Sequence, residues 1–170
     1  GSVPADIFRC YSDRFGVLYP LQTMLSGRII DYHVMPWFVE ASDEHSNRII
    51  TRLATSLSCD VRQADSDKRR TLHIAAVFIS NFTNHMCSVA KQLCIEKNIP
   101  FEVFQPLMKE TFDKLLTSDP YLNQTGPARR NDSAIIEKHL SDLESYPDWQ
   151  KIYNFVSRSI IDMYHKEKPQ

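Results

Sequence analysis

The sequence contains few glycines, no long apolar run and no excess of either charge. Its four glycines are too scattered to form a phosphate-binding loop, and neither G-x-G-x-x-G nor a P-loop occurs among its 170 residues. The longest apolar runs, such as "IAAVFI", are far too short to span a bilayer, and the opening "GSVPADIF" has no signal-peptide pattern. The net charge of -1 argues against nucleic acid or an anionic membrane surface as a partner.

The cysteines lack the spacing of a metal site. Cys10, Cys59, Cys87 and Cys94 include no C-x-x-C pair, so we expect no bound metal. We expect four buried or half-buried thiols in a reducing compartment, which indicates the cytoplasm. The sequence also lacks the hydrolase motifs G-x-S-x-G and H-E-x-x-H.

The chain changes character near residue 66, and we place a domain boundary there. Before it, β-branched and aromatic runs alternate with turn signals and with one helical stretch, for which Ser42 or Asp43 is the expected cap. The expected strands are residues 15–23, 35–42 and 60–65. Because a helix separates the last two, they predict a crossover unit of an α/β sheet. Residues 1–66 are therefore expected to form an α/β piece and residues 67–170 an all-helical lobe, which together make an α+β fold.

Helical patterns fill the chain after residue 66. The expected helices are residues 67–98, 100–119, 132–145 and 147–166. Asn98 suits the position just after the first helix, and Pro106 is tolerable only in the first turn of the second. Asp132 is the expected cap of the third helix, and Pro147 suits the first position of the fourth.

The first of these helices is apolar on most of its surface but also carries a line of polar residues. We call this line the polar seam. Residues 72–93 are apolar nearly all round, which predicts burial on most sides. His73, Asn81 and His85 are spaced by multiples of four, which places them near one face, with Asn84 beside them. The seam is either an internal hydrogen-bonded network or the wall of a ligand cleft. In the second case His85 is the acid–base candidate, because imidazole titrates near neutrality and Asn81 would orient it.

A second polar cluster lies in "QTGPARRND", residues 124–132, which we call the arginine loop. Its glycine supplies a free backbone dihedral and Pro127 fixes the next one, so the loop should be rigid. Arg129 and Arg130 precede a helix start, which is a favourable place for an anion. Either one arginine pairs with a carboxylate such as Asp132, or the loop binds a substrate carboxylate or a cofactor phosphate. The residues expected to do so are Gln124, Thr125, Gly126, Arg129 and Arg130.

Several stretches together resemble a known family. They are "GSVP", "GVLYPLQT", "FVEAS", "AD" followed by "RRTLHIAAVFISNFTNH", and "QTGPARRND". The set resembles Rossmann-like bacterial proteins with a C-terminal helical domain of unknown function, number 2520, and it runs from end to end of the chain. These proteins are often called NADP oxidoreductases and are similar in plan to pyrroline-5-carboxylate reductase and deazaflavin-dependent NADP reductases. Asn131 stands where the family has glycine in R-G-D, and asparagine tolerates left-handed dihedrals, so the turn should survive.

The resemblance implies a function as well as a fold. Residues 1–66 would be the last strands of a Rossmann-like nucleotide domain, and residues 67–170 a helical domain like the C-terminal domain of 6-phosphogluconate dehydrogenase. In the family the glycine-rich loop lies upstream of "GSVP", so the chain resembles the C-terminal portion of an oxidoreductase that uses NADP or NAD. The resemblance also implies a homodimer, and the arginine loop favours a small anionic substrate. The alternative is a non-catalytic dimerisation or small-ligand-binding module.

This sequence predicts negligible binding of NADP or NAD by the chain on its own, because the phosphate-binding loop is absent from it. Isothermal titration calorimetry of the 170-residue chain with each nucleotide checks this. Micromolar affinity would contradict it and would demand a different kind of nucleotide site.

Overall fold

The N-terminal part of the chain forms a small three-stranded sheet. The structure is a computed structural model that describes residues 1–165. Strands β1 (Gly16–Pro20), β2 (Trp37–Ala41) and β3 (Val61–Gln63) lie side by side in that order. β1 is antiparallel to β2, whereas β2 is parallel to β3 and connected to it by helix α1 (Glu44–Leu57). The predicted crossover unit and the mixed α+β fold are thereby confirmed.

The sheet and α1 enclose a compact apolar core. Val39 and Ala54 are fully buried, and Met35 and Trp37 pack with them. Helix α1 begins after the predicted cap Asp43, whose carboxylate accepts a hydrogen bond from the backbone N–H of Ser46 at 3.0 Å. Hydrogen bonds from the Ser46 hydroxyl and backbone, and then from Ser42, hold the pKa of Asp43 far below its usual range.

Helices make up the rest of the described chain. They are α2 (Ser66–Ala76), α3 (Thr83–Glu96), α4 (Gln105–Thr117), α5 (Pro120–Asn123), α6 (Ser133–Asp142) and α7 (Pro147–His165). A short 3-10 helix over Ala5–Cys10 was not predicted, and a second one, Phe101–Phe104, forms the start of the helix predicted over residues 100–119. Asn98 has a left-handed φ of 54°, and Pro106 lies in the first turn of α4. Asp132 caps α6 and Pro147 opens α7, as predicted. The predicted last position of the final helix, Lys166, lies outside the described residues.

The long helix predicted over residues 67–98 is interrupted by a π-helical turn. This wider turn covers Val77–Phe82 and separates α2 from α3. The Thr83 hydroxyl donates to the carbonyl oxygen of Phe78, five residues earlier, at 3.2 Å, and so satisfies an acceptor in the widened turn. The rings of Phe78 and Phe82 pack edge to face with centroids 5.0 Å apart. The extra residue rotates everything after it by about 100° relative to an uninterrupted α-helix.

A buried ion pair joins three separate stretches of the chain. Arg69 on α2 is 2% exposed and pairs with Glu40 at the end of β2, which is 19% exposed. The same guanidinium donates to the carbonyl oxygen of Val3 at 2.5 Å. Ser66 donates from its backbone N–H and from its hydroxyl to Glu40, at 3.0 and 2.8 Å, and its hydroxyl accepts from Ala5 N–H at 2.9 Å. The stretches that meet here are "GSVP", "FVEAS" and "RRTLH".

Two of the cysteines are more exposed than expected. Cys94 is buried and Cys87 half-buried, but Cys10 and Cys59 are exposed. Cys10 ends a short 3-10 helix, and Cys59 lies in the turn before β3 with its Sγ 3.1 Å from Nε2 of His33. The expectation of four buried or half-buried thiols is therefore wrong for Cys10 and Cys59, because both lie in connecting segments outside the apolar core.

The described chain divides into two compact units, Gly1–Ser88 and the residues from Val89 onward. The first contains the sheet, α1 and α2, and the second contains α4 to α7, which we call the helical unit. The domain boundary at residue 66 stays a prediction. Within residues 1–165, each helix is too short or too polar to cross a membrane.

We expect replacement of Arg69 by methionine to lower the free energy of unfolding by about 3–5 kcal/mol, because it leaves the Glu40 carboxylate buried without its partner. Urea unfolding followed by circular dichroism measures this. The neighbouring Arg70→Met is the matched control and should change stability by less than about 0.5 kcal/mol, since Arg70 lies on the surface. Equal effects of the two substitutions would contradict the central role of the ion pair.

Candidate functional site

A cavity of about 610 Å³ lies between the loop that follows β1 and the helical stretch that begins with α2. We call it the His73 cavity. Its walls are mostly apolar side chains such as Leu21, Leu72 and Ile79. Its polar lining residues are Tyr19, Gln22, Thr23, His73, Ser80 and Asn81. A mostly apolar cavity with a few converging polar groups is typical of a small-molecule site.

Two polar pairs connect the opposite walls of the His73 cavity. The Tyr19 hydroxyl lies 3.4 Å from Nδ1 of His73, and the Thr23 and Ser80 hydroxyl oxygens lie 3.2 Å apart. Burial raises the pKa of Tyr19, although the charge of Arg69 acts in the opposite direction. The phenol therefore keeps its proton at neutral pH. The backbone of Gly1 packs against the His73 ring so closely that a Cβ at Gly1 would lie 2.7 Å from Cγ of His73.

The structure divides the predicted polar seam between two environments. His73 and Asn81 line the His73 cavity, whereas Asn84 and His85 are exposed and are not among its lining residues. The π-helical turn lies between His73 and His85, and spacing by multiples of four keeps residues on one face only in a regular α-helix. The acid–base role predicted for His85 stays a prediction.

A second cavity, of about 600 Å³, contains every residue predicted to bind a ligand in the arginine loop. Its lining residues are Gln124, Thr125, Gly126, Arg129, Arg130 and His165. We call it the arginine cavity. The last of these residues was not predicted, because it is 36 positions from Arg129 in sequence, and its Nε2 lies 2.9 Å from the Arg129 carbonyl oxygen. Among residues 1–165, the lining contains two guanidinium groups and no carboxylate.

The two arginines are free of the carboxylate pairing that the sequence left open. The ion pairs among residues 1–165 include neither Arg129 nor Arg130. Asp132 instead accepts from the backbone N–H of Ile135 at 3.3 Å and caps α6. The Arg129 guanidinium lies over the ring of Tyr164, 4.5 Å from its centroid. Stacking holds the plane of the guanidinium and leaves its N–H edges available to a planar anion.

The backbone of the arginine loop is closed by its own hydrogen bonds. Gly126 has a φ of 95° and Asn131 a φ of 54°, so both lie in the left-handed region. The N–H groups of Arg130 and Asp132 donate to the carbonyl oxygen of Pro127 at 3.1 and 3.0 Å. Asn131 thus adopts the conformation for which the family pattern has glycine, and the turn is retained.

The strand–helix turns of the sheet do not provide a dinucleotide phosphate site. Asp43 caps α1 after β2, and Asp65 caps α2 after β3 by accepting from Lys68 N–H at 2.8 Å. A carboxylate thus occupies the N-terminus of α1 and of α2, where a phosphate would otherwise bind, and its negative charge would repel that phosphate. Among residues 1–165, no three His, Cys, Asp or Glu side chains are placed to hold a metal ion.

Comparison with known proteins identifies the family. Residues 35–160 match the family described as Domain of unknown function (DUF2520). The chain belongs to this family. No curated protein matches the chain. The family match spans β2, the His73 cavity residues on α2 and the whole arginine loop.

Two solved structures resemble this DUF2520 chain along nearly its whole length. One is described as a "putative NADP oxidoreductase" from Bacteroides fragilis, with 40% identity, a TM-score of 0.88 and coverage of 95% of this chain. The DUF2520 chain spans only 62% of the length of that protein. The other is a protein from Thermotoga maritima, with 19% identity, a TM-score of 0.74 and coverage of 97% of this chain and 68% of the other. At that identity the second likeness shows the fold alone.

Because Arg129 and Arg130 form no ion pair with residues 1–165, we expect their joint replacement by alanine to cost little stability. Loss of the Arg129–Tyr164 stacking should lower the free energy of unfolding by about 0.5–1 kcal/mol. Urea unfolding of the double variant measures the change. The neighbouring substitution Pro127→Ala is a useful comparison, since it frees the loop backbone without removing charge. A loss of about 3 kcal/mol in the double variant would show that the arginines hold the loop together.

Proposed function

We propose that this DUF2520 chain is the C-terminal, substrate-binding portion of an oxidoreductase that uses NADP or NAD. Three findings support the proposal. The chain has the same fold as the Bacteroides fragilis protein described as a "putative NADP oxidoreductase". It spans 62% of the length of that protein. Its own strand–helix turns are capped by Asp43 and Asp65. The nucleotide phosphates would therefore be held by residues outside the chain, and the chain would hold the substrate.

The observation that carries the proposal is the Tyr19–His73 pair in the wall of the His73 cavity. Tyr19 keeps its proton at neutral pH, because a phenol ordinarily titrates at pH ~10 and burial raises its pKa further. A phenol in this state can donate a hydrogen bond or a proton to a carbonyl oxygen or an imine nitrogen. Nδ1 of His73 lies 3.4 Å from the Tyr19 oxygen. The imidazole can therefore pass a proton from solvent to the phenolate after Tyr19 has donated its own. Reduction of a carbonyl or an imine requires a proton at that heteroatom, so the pair supplies what this chain's half of the reaction needs.

Asn81 and Thr23 give the His73 cavity its means of orienting a substrate. Asn81 offers both an amide donor and an amide acceptor, and Thr23 is linked to Ser80 by their hydroxyls at 3.2 Å. The residues therefore provide neutral hydrogen bonds rather than charge. The helical unit, taken by itself, offers counter-charge to an anion in the arginine loop, through Arg129 and Arg130, with Gln124, Thr125 and Gly126 as neutral neighbours.

The proposal is tested in a longer protein that carries a strand and a G-x-G-x-x-G turn upstream of Gly1. Quenching of NADPH fluorescence should show micromolar binding to that protein. Tyr19→Phe should leave NADPH affinity within about twofold and lower the rate of NADPH oxidation by about 10²–10⁴-fold, in a screen of aldehydes, 2-oxo acids and cyclic imines. Leu21→Ala is the control for cavity shape. Absence of NADPH binding to the longer protein would sink the oxidoreductase assignment.

The second candidate function is a non-catalytic dimerisation or ligand-binding module, and one observation favours dimerisation. The helical stretch expected to be buried on most sides exposes large apolar side chains in the single chain. They are Ile74 at 52%, Phe78 at 63%, Ile79 at 72% and Phe82 at 47% exposed. A patch of this kind commonly marks a protein–protein interface. Both candidate functions therefore include a homodimer that covers this stretch.

We expect light scattering at micromolar concentration to give twice the chain mass of 19.7 kDa. Phe78→Asp should shift the chain toward a monomer, because it places a charge at the centre of the exposed apolar stretch. The control is Val103→Asp, which changes a side chain of similar exposure, 58% against 63%, at another position. A monomeric mass for the unmodified chain would count decisively against the homodimer.

A further inference from the structure

We propose that the helical unit binds a small organic anion with a short apolar chain, with the anionic group in the arginine cavity and the apolar chain in a neighbouring cavity. The proposal rests on the ligand-binding role given above to the arginine loop, and it does not depend on redox chemistry or on the His73 cavity. It adds the chemical class of the ligand and the surface that receives its uncharged part.

The arginine cavity supplies a positive charge of defined orientation, and no carboxylate of residues 1–165 is paired with it. Arg129 stacks on Tyr164, 4.5 Å from its centroid, and Tyr164 in turn stacks on Tyr121 with centroids 4.4 Å apart. The Tyr164 hydroxyl donates to the carbonyl oxygen of Tyr121 at 2.6 Å, which fixes the stack. Arg130 is exposed and has no ion-pair partner in residues 1–165. A carboxylate or a phosphate fits the fork of donors that such guanidiniums present.

The neighbouring cavity has a volume of about 370 Å³ and shares Gln124 and Thr125 with the arginine cavity. We call it the Leu107 cavity. Its apolar residues are Leu107, Leu115 and Pro120, from α4 and α5. Leu107 and Leu115 are 62% and 43% exposed. An apolar group that covers them removes apolar surface from water, which favours binding.

The charges in the Leu107 cavity cancel each other. Lys114 Nζ lies 2.9 Å from the Glu110 carboxylate, and these are the charged residues of its lining. The positive charge is therefore confined to the arginine end, and the Leu107 end offers apolar contact. This separation matches a molecule that carries its charge at one end, and it disfavours a ligand with charges along its length.

The wall between the two cavities is held in place before any ligand arrives. The Asn123 side-chain amide donates to the carbonyl oxygen of Lys114 at 3.1 Å and to the Ser118 hydroxyl at 2.8 Å. Asp119 caps α5 by accepting from Tyr121 N–H at 2.9 Å. These bonds fix the turn from α4 into α5, which directly precedes Gln124. A wall that is already ordered costs little additional entropy when a ligand binds.

The test titrates the 170-residue chain with acetate, hexanoate and hexylammonium while amide shifts are followed by NMR. We expect hexanoate to shift the amides of residues 124–126 and of α4, and to bind about tenfold more tightly than acetate, because part of its chain leaves water. Hexylammonium should not bind. Hexyl phosphate is the comparison for the anionic group: tighter binding than hexanoate assigns a phosphate, and weaker binding assigns a carboxylate.

Matched variants separate the two ends of the site. Arg130→Ala, which removes an exposed side chain, and the Arg129→Ala/Arg130→Ala pair should each weaken hexanoate binding, the pair by at least about tenfold. Lys97→Ala/Lys138→Ala removes the same charge elsewhere in the helical unit and should leave binding within twofold. Leu115→Ser should reduce the affinity for hexanoate toward that for acetate, whereas Leu116→Ser, at a residue 84% exposed and outside both cavities, should not.

Three outcomes would overturn the proposal. They are equal affinities for acetate and hexanoate, hexanoate binding that survives the double arginine substitution, and equal effects of Leu115→Ser and Leu116→Ser. Because every measurement uses this chain without a nucleotide, failure here leaves the oxidoreductase test intact. Failure of that test likewise leaves the anion site standing.

Discussion

The ion pair between Arg69 and Glu40 is the interaction on which the first unit depends. A guanidinium with 2% of its surface exposed persists in a protein interior only when its donors are satisfied. Glu40, Ser66 and the carbonyl oxygen of Val3 satisfy them. The chain is therefore held at three points: the N-terminal segment, the end of β2 and the first turn of α2. His73 follows Arg69 by one helical turn, so the same pair determines where the wall of the His73 cavity lies.

This arrangement also links the charge of Arg69 to the chemistry of the cavity. The guanidinium acts to lower the pKa of Tyr19, but burial acts more strongly in the opposite direction. Arg69 is itself paired with Glu40. A structural ion pair can thus lie near a half-buried phenol without lowering the pKa of that phenol.

The sequence predicted the features that depend on near neighbours and missed those that depend on distant ones. Asp43, Asp132 and Pro147 mark helix starts through contacts with the next three or four residues, and their roles were predicted correctly. The pairing of Glu40 with Arg69 spans 29 positions, and no local pattern indicates it. His165 and Tyr19 enter the two cavities for the same reason: their partners are distant in sequence. The polar seam was predicted on the geometry of a regular helix, which the π-helical turn does not follow.

The π-helical turn over Val77–Phe82 has a consequence for how such a chain can evolve. A π-helical turn is one residue longer than the α-helical turn it replaces. Deletion of a single residue there would restore regular pairing and turn the whole of α3 by about 100°. The side chains that follow the deleted residue would then point in different directions. Substitutions within the segment change one contact at a time, whereas a change in its length changes all of them at once. A change in the number of residues in this stretch should therefore disturb the structure more than a change in their identity.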